Sequence, residues 1–544
     1  MLRFLLFFVS IAAALSEACG QPTRHPVAGA AGDLDTYVAR TLRTFGVPGM
    51  AVSIVRNGKV ISARGYGVRH IGDTATVTPQ TRFGIGEISR AFTATAVTIL
   101  AERGTLPLDT PVVRHLREFA LADPYVTANI TTRDLLLQRS GLGINAGDLL
   151  WWPSTTYSRM DIVRRLREVP LRTGFRSGYS HDNVLYIVAG ALIEAVTHKS
   201  WEQVITDTLL RRLDMRHTGV RHSDAMLVGD IATPHALVDG KTSAIRPLDA
   251  DAANPNSGIN SSAGDMAKWM LAQLNGGRNA DSVAVWSKWA QLEMWRGTTP
   301  MRAIEPLDLD ALRTLNLPEA YNDVQPRFRM YALGAEVRDY RGTRIIMQQG
   351  SLQGYASELV YVPSLDLGIT VLTNHQNQEA VNAVIWRLLD EHLGAGRTDW
   401  VGILDGAAKL MRRQLADLRK QMPETMLQLD SALRDTTTKP SLPIWNYAAR
   451  YEDPWYGAAT IEMSKDGQLT LLMGATPGMV GDIVHFEKDV FTVRWRDRTL
   501  NADAYLWFSF NRRGEIESAR LEPMDRDVAP SYDYADLRLR RRSF

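Results

Sequence analysis

One cysteine, Cys19, occurs in 544 residues, so no intramolecular disulfide and no cysteine-based zinc site can form. The 11 histidines contain no His-Glu-x-x-His pattern and no close pair, which leaves metal catalysis without support; neither a metal nor a cofactor is expected. A Gly-x-x-x-x-Gly-Lys loop is missing, as is a Gly-x-Ser-x-Gly elbow, which argues against a phosphate cradle and an α/β-hydrolase. Charge of one sign is not in excess either. With 62 Lys and Arg against 60 Asp and Glu the net charge is +2, which excludes a general binder of nucleic acid or of membrane surfaces. The tail run of Arg538, Arg540, Arg541 and Arg542 reads as a solvated end. No repeat of about 20–50 residues is present, so solenoids and propellers are excluded.

Long apolar runs are equally scarce. The one of note, Phe4 to Leu15 behind Arg3, is too short to span a bilayer and has the length of a signal-peptide core. Cleavage after Gly20 (Ala18-Cys19-Gly20) or after Ala18 (Ser16-Glu17-Ala18) fits a small-x-small rule. Lipid modification of Cys19 is the weaker alternative, because Ser16-Glu17-Ala18 matches a lipobox poorly. Residues 1–20 are therefore expected to act as a signal peptide of a periplasmic or secreted protein, with no transmembrane helix after them.

What is present is a chain that is 45% hydrophobic and 22% charged, with 41 Gly and 24 Pro, long enough for two to four domains of ordinary size. Three textures follow one another. From about residue 33 to 393, strands and helices alternate with frequent glycine. Met50 to Val55, then Asn57-Gly58, then Val60 to Ala63 reads as a hairpin. Ile88, Phe92, Ala96, Ile99 and Leu100 recur at helical spacing, with Gly104 where the helix should stop. Arg344 to Met347, Ser357 to Val362 and Gly368 to Leu372 read as three late strands. An early hairpin and late strands around a helical middle predict an α+β domain with a mostly antiparallel sheet. From about 405 to 433 the pattern is helical and charged, a linker or strut. From Trp445 to Phe544 short strands and turns predict an all-β domain of about one hundred residues, with Trp455, Tyr456, Trp495, Tyr505 and Trp507 mostly in its core. The expected boundaries are 21–400, 401–444 and 445–544.

The segment most informative about chemistry is Phe83-Gly84-Ile85-Gly86-Glu87-Ile88-Ser89-Arg90-Ala91-Phe92-Thr93-Ala94, followed by Leu106-Pro107-Leu108-Asp109-Thr110-Pro111-Val112. Further along stand Arg133-Asp134-Leu135-Leu136 with Ser140-Gly141-Leu142, and Asp182-Asn183-Val184-Leu185-Tyr186 with Gly190. Asn260-Ser261-Ser262-Ala263-Gly264-Asp265-Met266 and Gly350-Ser351-Leu352-Gln353-Gly354-Tyr355 complete the series. In order and spacing these resemble the serine hydrolases of the penicillin-binding-protein and class C β-lactamase fold. The last hundred residues, with Asp453-Pro454-Trp455-Tyr456-Gly457 and Thr476-Pro477-Gly478, resemble the β domain often appended to them. The resemblance implies an antiparallel sheet with flanking helices and a helical subdomain.

It also implies a nucleophilic Ser at the helix start and a Lys three residues later, which a helix places side by side so that the Lys takes the Ser proton. Here those positions hold Glu87 and Arg90. A guanidinium stays protonated and cannot serve as a base, and Ser89 is one register off. The family's Tyr-x-Asn aligns on His181-Asp182-Asn183, with Tyr179-Ser180-His181 as a competing register. Its cation-x-Gly edge-strand motif aligns on Gln348-Gln349-Gly350, and the N–H near Ser351 would be the second oxyanion donor. Three readings follow. The first is a noncatalytic relative that keeps the cleft for a small-molecule, saccharide or cell-wall-type ligand. The second is an enzyme repurposed to carboxylate chemistry, such as a glycosidase or transglycosylase, with Glu87, His181 and Asp182 as acid and base. The third is residual serine hydrolysis by Ser89 or Ser180. Candidate ligand contacts are Asp182, Gln348, Gly350, Ser351 and Tyr355, with Trp151 and Trp152 either lining the cleft or packing as a lid. The oligomeric state is left open.

Overall fold

The structure is a computed structural model that describes residues 31–227, 229–238, 240–302, 321, 324–421, 438–524 and 528–542. The expected signal peptide lies outside the described residues, as does most of the second half of the expected linker.

The early hairpin forms as its sequence dictates. Strands β1 (Gly49–Arg56) and β2 (Lys59–Gly67) are joined by Asn57 and Gly58, both at positive φ (50° and 70°), the conformation that a two-residue turn between right-twisted strands requires. Six more strands complete the sheet: β3 (Thr299–Pro300), β4 (Arg329–Tyr331), β5 (Glu336–Tyr340), β6 (Thr343–Leu352), β7 (Tyr355–Val362) and β8 (Leu367–Thr373). Their order is β2-β1-β8-β7-β6-β5-β4-β3, and every neighbouring pair is antiparallel. The chain therefore begins at one side of the sheet and returns to insert its last strands beside β1.

Helices cover both faces, which is why the central strands are apolar throughout rather than alternating. On β1, Met50, Val52 and Ile54 enter one buried cluster while Ala51 and Val55 enter another, the period-two split of a strand buried on both sides. The first cluster is closed by α1 (Ala31–Phe45), α5 (Gln378–Leu393) and the start of α6 (Trp400–Gln421). The second is closed by α2 (Ser89–Glu102), α3 (Val184–Thr197) and α4 (Ala263–Leu274). Helix α2 is buried from Ser89 to Leu100, and Phe92 stacks on Trp269 of α4 with ring centroids 3.9 Å apart. Its end coincides with Gly104 at φ 71°, as the sequence suggests.

The C-terminal region is a closed eight-stranded barrel: β9 (Ala449–Asp453), β10 (Gly457–Met463), β11 (Leu469–Met473), β12 (Val480–Glu487), β13 (Val490–Trp495), β14 (Ala504–Phe510), β15 (Ile516–Pro523) and β16 (Leu539–Arg541). Closure between β9 and β16 leaves no free sheet edge. Trp455, Tyr456 and Trp495 are buried as expected. Tyr505 and Trp507 are not: on β14 the inward positions are Ala504, Leu506 and Phe508, so the intervening aromatics face outward by strand parity.

Candidate functional site

The site lies where the start of α2 meets β6. Two glycines permit the approach. A Cβ on Gly350 would stand 2.0 Å from the carbonyl oxygen of Ile85, and one on Gly86 would stand 2.9 Å from the backbone nitrogen of Ser351. The single helical turn Gly86–Ile88 then runs into α2 with the Glu87 side chain beside β6. The Ser351 N–H donates to Glu87 Oε2 at 2.7 Å. The backbone donor near Ser351 that the family resemblance assigns to an oxyanion is thus turned on the Glu87 side chain. Burial raises the Glu87 pKa above the ordinary carboxylate value, against the opposing pull of Arg90 and of the Ser351 N–H.

Arg90, the second residue of α2 and three residues after Glu87, is buried and held by neutral acceptors. Its Nε donates to Asn256 Oδ1 at 2.8 Å. Its Nη2 donates to Asn183 Oδ1 and to His181 Nε2, the latter at 3.2 Å. The guanidinium lies 5.2 Å from the centroid of the Tyr186 ring. Because a guanidinium only donates, His181 Nε2 must be the acceptor and its proton sits on Nδ1, which donates to Tyr179 Oη at 3.0 Å. Burial, with the Arg90 charge adding to it, pushes the His181 pKa down to about 3. A ring so depressed is neutral throughout the physiological range.

A cavity of about 360 Å³ opens over these residues, lined by Glu87, Arg90, Tyr179, His181, Met301, Arg329, Tyr331, Gly334, Ala335, Glu336, Met347, Gln348, Gln349 and Ser351. Arg329 and Glu336 pair through two hydrogen bonds of 2.8 Å on the adjoining strands β4 and β5. Tyr331 Oη accepts from Gln138 Nε2 at 3.0 Å. Gln348 is buried, and its Oε1 has no partner among the described residues. Gly350 does not line the cavity; its missing side chain admits the Ile85 carbonyl.

Several candidates stand elsewhere. Asp182 is wholly buried and does not line the cavity; its Oδ1 accepts from the Val184 N–H at 3.2 Å. Asn183 also sits behind the wall, accepting from Arg90 and from Asn256 Nδ2 (3.2 Å). Tyr355 is buried, with its hydroxyl on the Ala232 carbonyl at 2.7 Å. Trp151 donates from Nε1 to Asp148 Oδ1 at 2.9 Å, and Trp152 packs on Tyr532 of the barrel region with centroids 4.7 Å apart; neither lines the cavity. Ser89 Oγ accepts from the Ile259 N–H at 3.0 Å inside the core. Ser180 is buried and does not line the cavity. The sequence carried no motif for Arg329, Tyr331, Glu336 or Asn256, which the fold gathers from distant segments. No group of three or more His, Cys, Asp or Glu among the described residues could hold a metal ion, and no described helix is long and apolar enough to cross a membrane.

The sequence model of the Beta-lactamase family matches residues 34–394, and that of a domain of unknown function (DUF3471) matches residues 433–541. An unguisins hydrolase from Aspergillus campestris is 27% identical over 458 residues, covering 80% of this chain and 78% of the relative. Protein flp from Staphylococcus aureus is 28% identical over 244 residues; that match covers 44% of this chain and about half of flp, 48%. Among solved structures, the octameric penicillin-binding protein homologue from Pyrococcus abyssi superimposes with a TM-score of 0.54 at 18% identity, over 93% of this chain and 99% of that one. SurE with D-Leu gives 0.52 at 16% identity, over 94% and 99%. At these identities the likeness is one of fold.

Proposed function

The chain belongs to the β-lactamase family, and we propose that it is a member without the family's acyl-transfer chemistry, retaining the cleft to bind a small molecule. The observation that carries this reading is the Glu87 carboxyl on the N–H of Ser351. A side chain of the protein fills the place where a tetrahedral intermediate needs a donor. Arg90 in turn supplies no base. It donates to Asn256, His181 and Asn183, so it serves as a fixed cation of the cleft floor. The pocket is lined mostly by polar and charged side chains, among them Glu87, Arg90, Arg329 and Glu336, with Met301 and Met347 as its apolar contacts, a lining that suits a polar or charged small molecule.

The glycosidase alternative draws less support. It needs a second carboxyl across the cleft from Glu87, yet Asp182 does not line the cavity, Glu336 is paired with Arg329, and His181 is too depressed to act as an acid near neutrality. The relative named unguisins hydrolase and the neighbour solved with D-Leu support amides and amino-acid derivatives in the first ligand panel, beside cell-wall fragments and oligosaccharides. Residues 1–20 support a periplasmic or secreted protein. The test is thermal shift against that panel with product analysis of each hit. Ligands that raise the melting temperature and are recovered intact agree with the proposal; turnover that is lost in Glu87→Gln contradicts it.

A further inference from the structure

A chain of hydrogen bonds leaves the cleft through its wall and ends in the other domain. Arg90 donates to Asn183 Oδ1. Asn183 Nδ2 donates to Asp148 Oδ2 at 2.8 Å, and Ser531 Oγ donates to the same oxygen at 2.7 Å. The remaining Asp148 oxygen accepts from Trp151 Nε1. One residue along, the Leu149 N–H donates to Asp533 Oδ2 at 3.1 Å. Ser531 and Asp533 belong to the segment between β15 and β16, and Asp148 is fully buried between the two domains. The barrel therefore contributes a side chain two hydrogen-bonded residues away from the cation on the cleft floor.

A surface that merely held two domains together would not need this arrangement. Elsewhere the same boundary uses simpler contacts: Tyr157 donates to the Tyr456 carbonyl, Arg165 Nη1 donates to the Trp455 carbonyl at 2.8 Å, and the Thr156 N–H donates to the Ala475 carbonyl at 2.8 Å. Burying Asp148 costs solvation that a neutral residue would not lose, and its Oδ2 is shared between the Arg90 network, through Asn183, and the barrel, through Ser531, while Oδ1 is held by Trp151. Asp182 and Asp533, both buried, crowd the same locus.

We propose that Asp148, Ser531 and Asp533 are positioning residues for the cleft: the docked barrel fixes Asn183, and through it Arg90. The proposal goes beyond the reading of the cleft as a binding site and holds whether or not that reading does, because it concerns what orients Arg90. By linkage, any ligand that bears on Arg90 strengthens barrel docking to the same degree that docking strengthens its binding.

Arginine-selective labelling tests it on the full chain. Phenylglyoxal is applied to folded protein, and modification of Arg90 is compared with that of buried Arg159, which is held by Glu194 and Glu202, by peptide mass mapping. Ser531→Ala should speed labelling of Arg90 relative to Arg159 by about fivefold, the factor given by loss of one ordinary hydrogen bond. Ser531→Thr, which keeps the hydroxyl, should restore the wild-type ratio. Tyr157→Phe, which weakens the same boundary away from the chain, should leave the ratio unchanged. The proposal is overturned if Ser531→Ala leaves the ratio at its wild-type value, or if Tyr157→Phe raises it equally.

Discussion

The Ser351 N–H stands 2.7 Å from Glu87 Oε2, so a side chain of the turn before α2 occupies a backbone donor at the mouth of the cleft. Glu87→Gln keeps a carbonyl oxygen for that donor and should change stability by under about 1 kcal/mol. Glu87→Ala empties it and should cost about 1–2 kcal/mol. Acetate or formate should then raise the melting temperature of Glu87→Ala, at fixed ionic strength against chloride, and leave the wild type unmoved. Equal responses of the two proteins would show that the donor is not filled by Glu87.

Arg90 holds acceptors on Asn256, Asn183 and His181, and none of these is replaced by water if the side chain is truncated within the buried wall. Arg90→Ala should therefore lose about 2–4 kcal/mol, from unsatisfied buried acceptors. Arg90→Lys keeps the charge but cannot span the same three acceptors, and should fall between the two. Urea titration of the three proteins measures this order.

Burial holds Asp148 up to about pKa 6, and Asp182 and Asp533 are displaced in the same direction for the same first cause. A carboxyl whose folded pKa exceeds its unfolded one stabilises fully below the unfolded value, near 4, and loses that contribution as pH rises through the folded value. The stability of the wild type relative to Asp148→Asn should thus fall between about pH 4 and pH 6. Comparing the pair at each pH cancels the opposite trend from His181, whose depressed pKa makes its contribution fade as pH drops below its unfolded value. A difference that rises with pH over that interval would contradict the assignment.

At Gly350 the obstruction is backbone, the Ile85 carbonyl 2.0 Å from a Cβ, which no rotamer change relieves. Gly350→Ala should force β6 away from α2, cost roughly 1–3 kcal/mol or more, and expose the Ser351 amide. Hydrogen exchange at Ser351 should quicken more than at Ile345, which lies in the same strand away from the helix.

Much of this architecture is visible in local patterns. The Asn57-Gly58 turn, the apolar recurrence along α2 and the stop at Gly104 each follow from short-range rules, and the three-residue spacing of Glu87 and Arg90 sets both on the cleft side of one helix. What escapes is parity and distance. His181 lines the cavity while its neighbour Asp182 is buried behind it, and nothing in their identities says which. Tyr505 and Trp507 face out by strand parity. Trp151 and Trp152 look like cleft aromatics until the barrel segment bearing Tyr532 is placed against them. Asp148 opens a single 3-10 turn, Asp148–Leu150, with no motif to mark it, and its connection to Ser531 joins residues 383 positions apart. Arg329 and Glu336 meet because a tight turn brings β4 and β5 together, a pairing set by register and not by any motif.

The most direct test of the central claim is intact mass after exposure of the wild type and of a Glu87→Ser/Arg90→Lys double variant to a fluorophosphonate. The account predicts no covalent adduct on the wild type, and an adduct on the introduced serine hydroxyl in the double variant, where that hydroxyl, a titratable amine and the vacated Ser351 N–H donor are brought together. A stoichiometric adduct on the wild type, at Ser89 or any other hydroxyl, would contradict it.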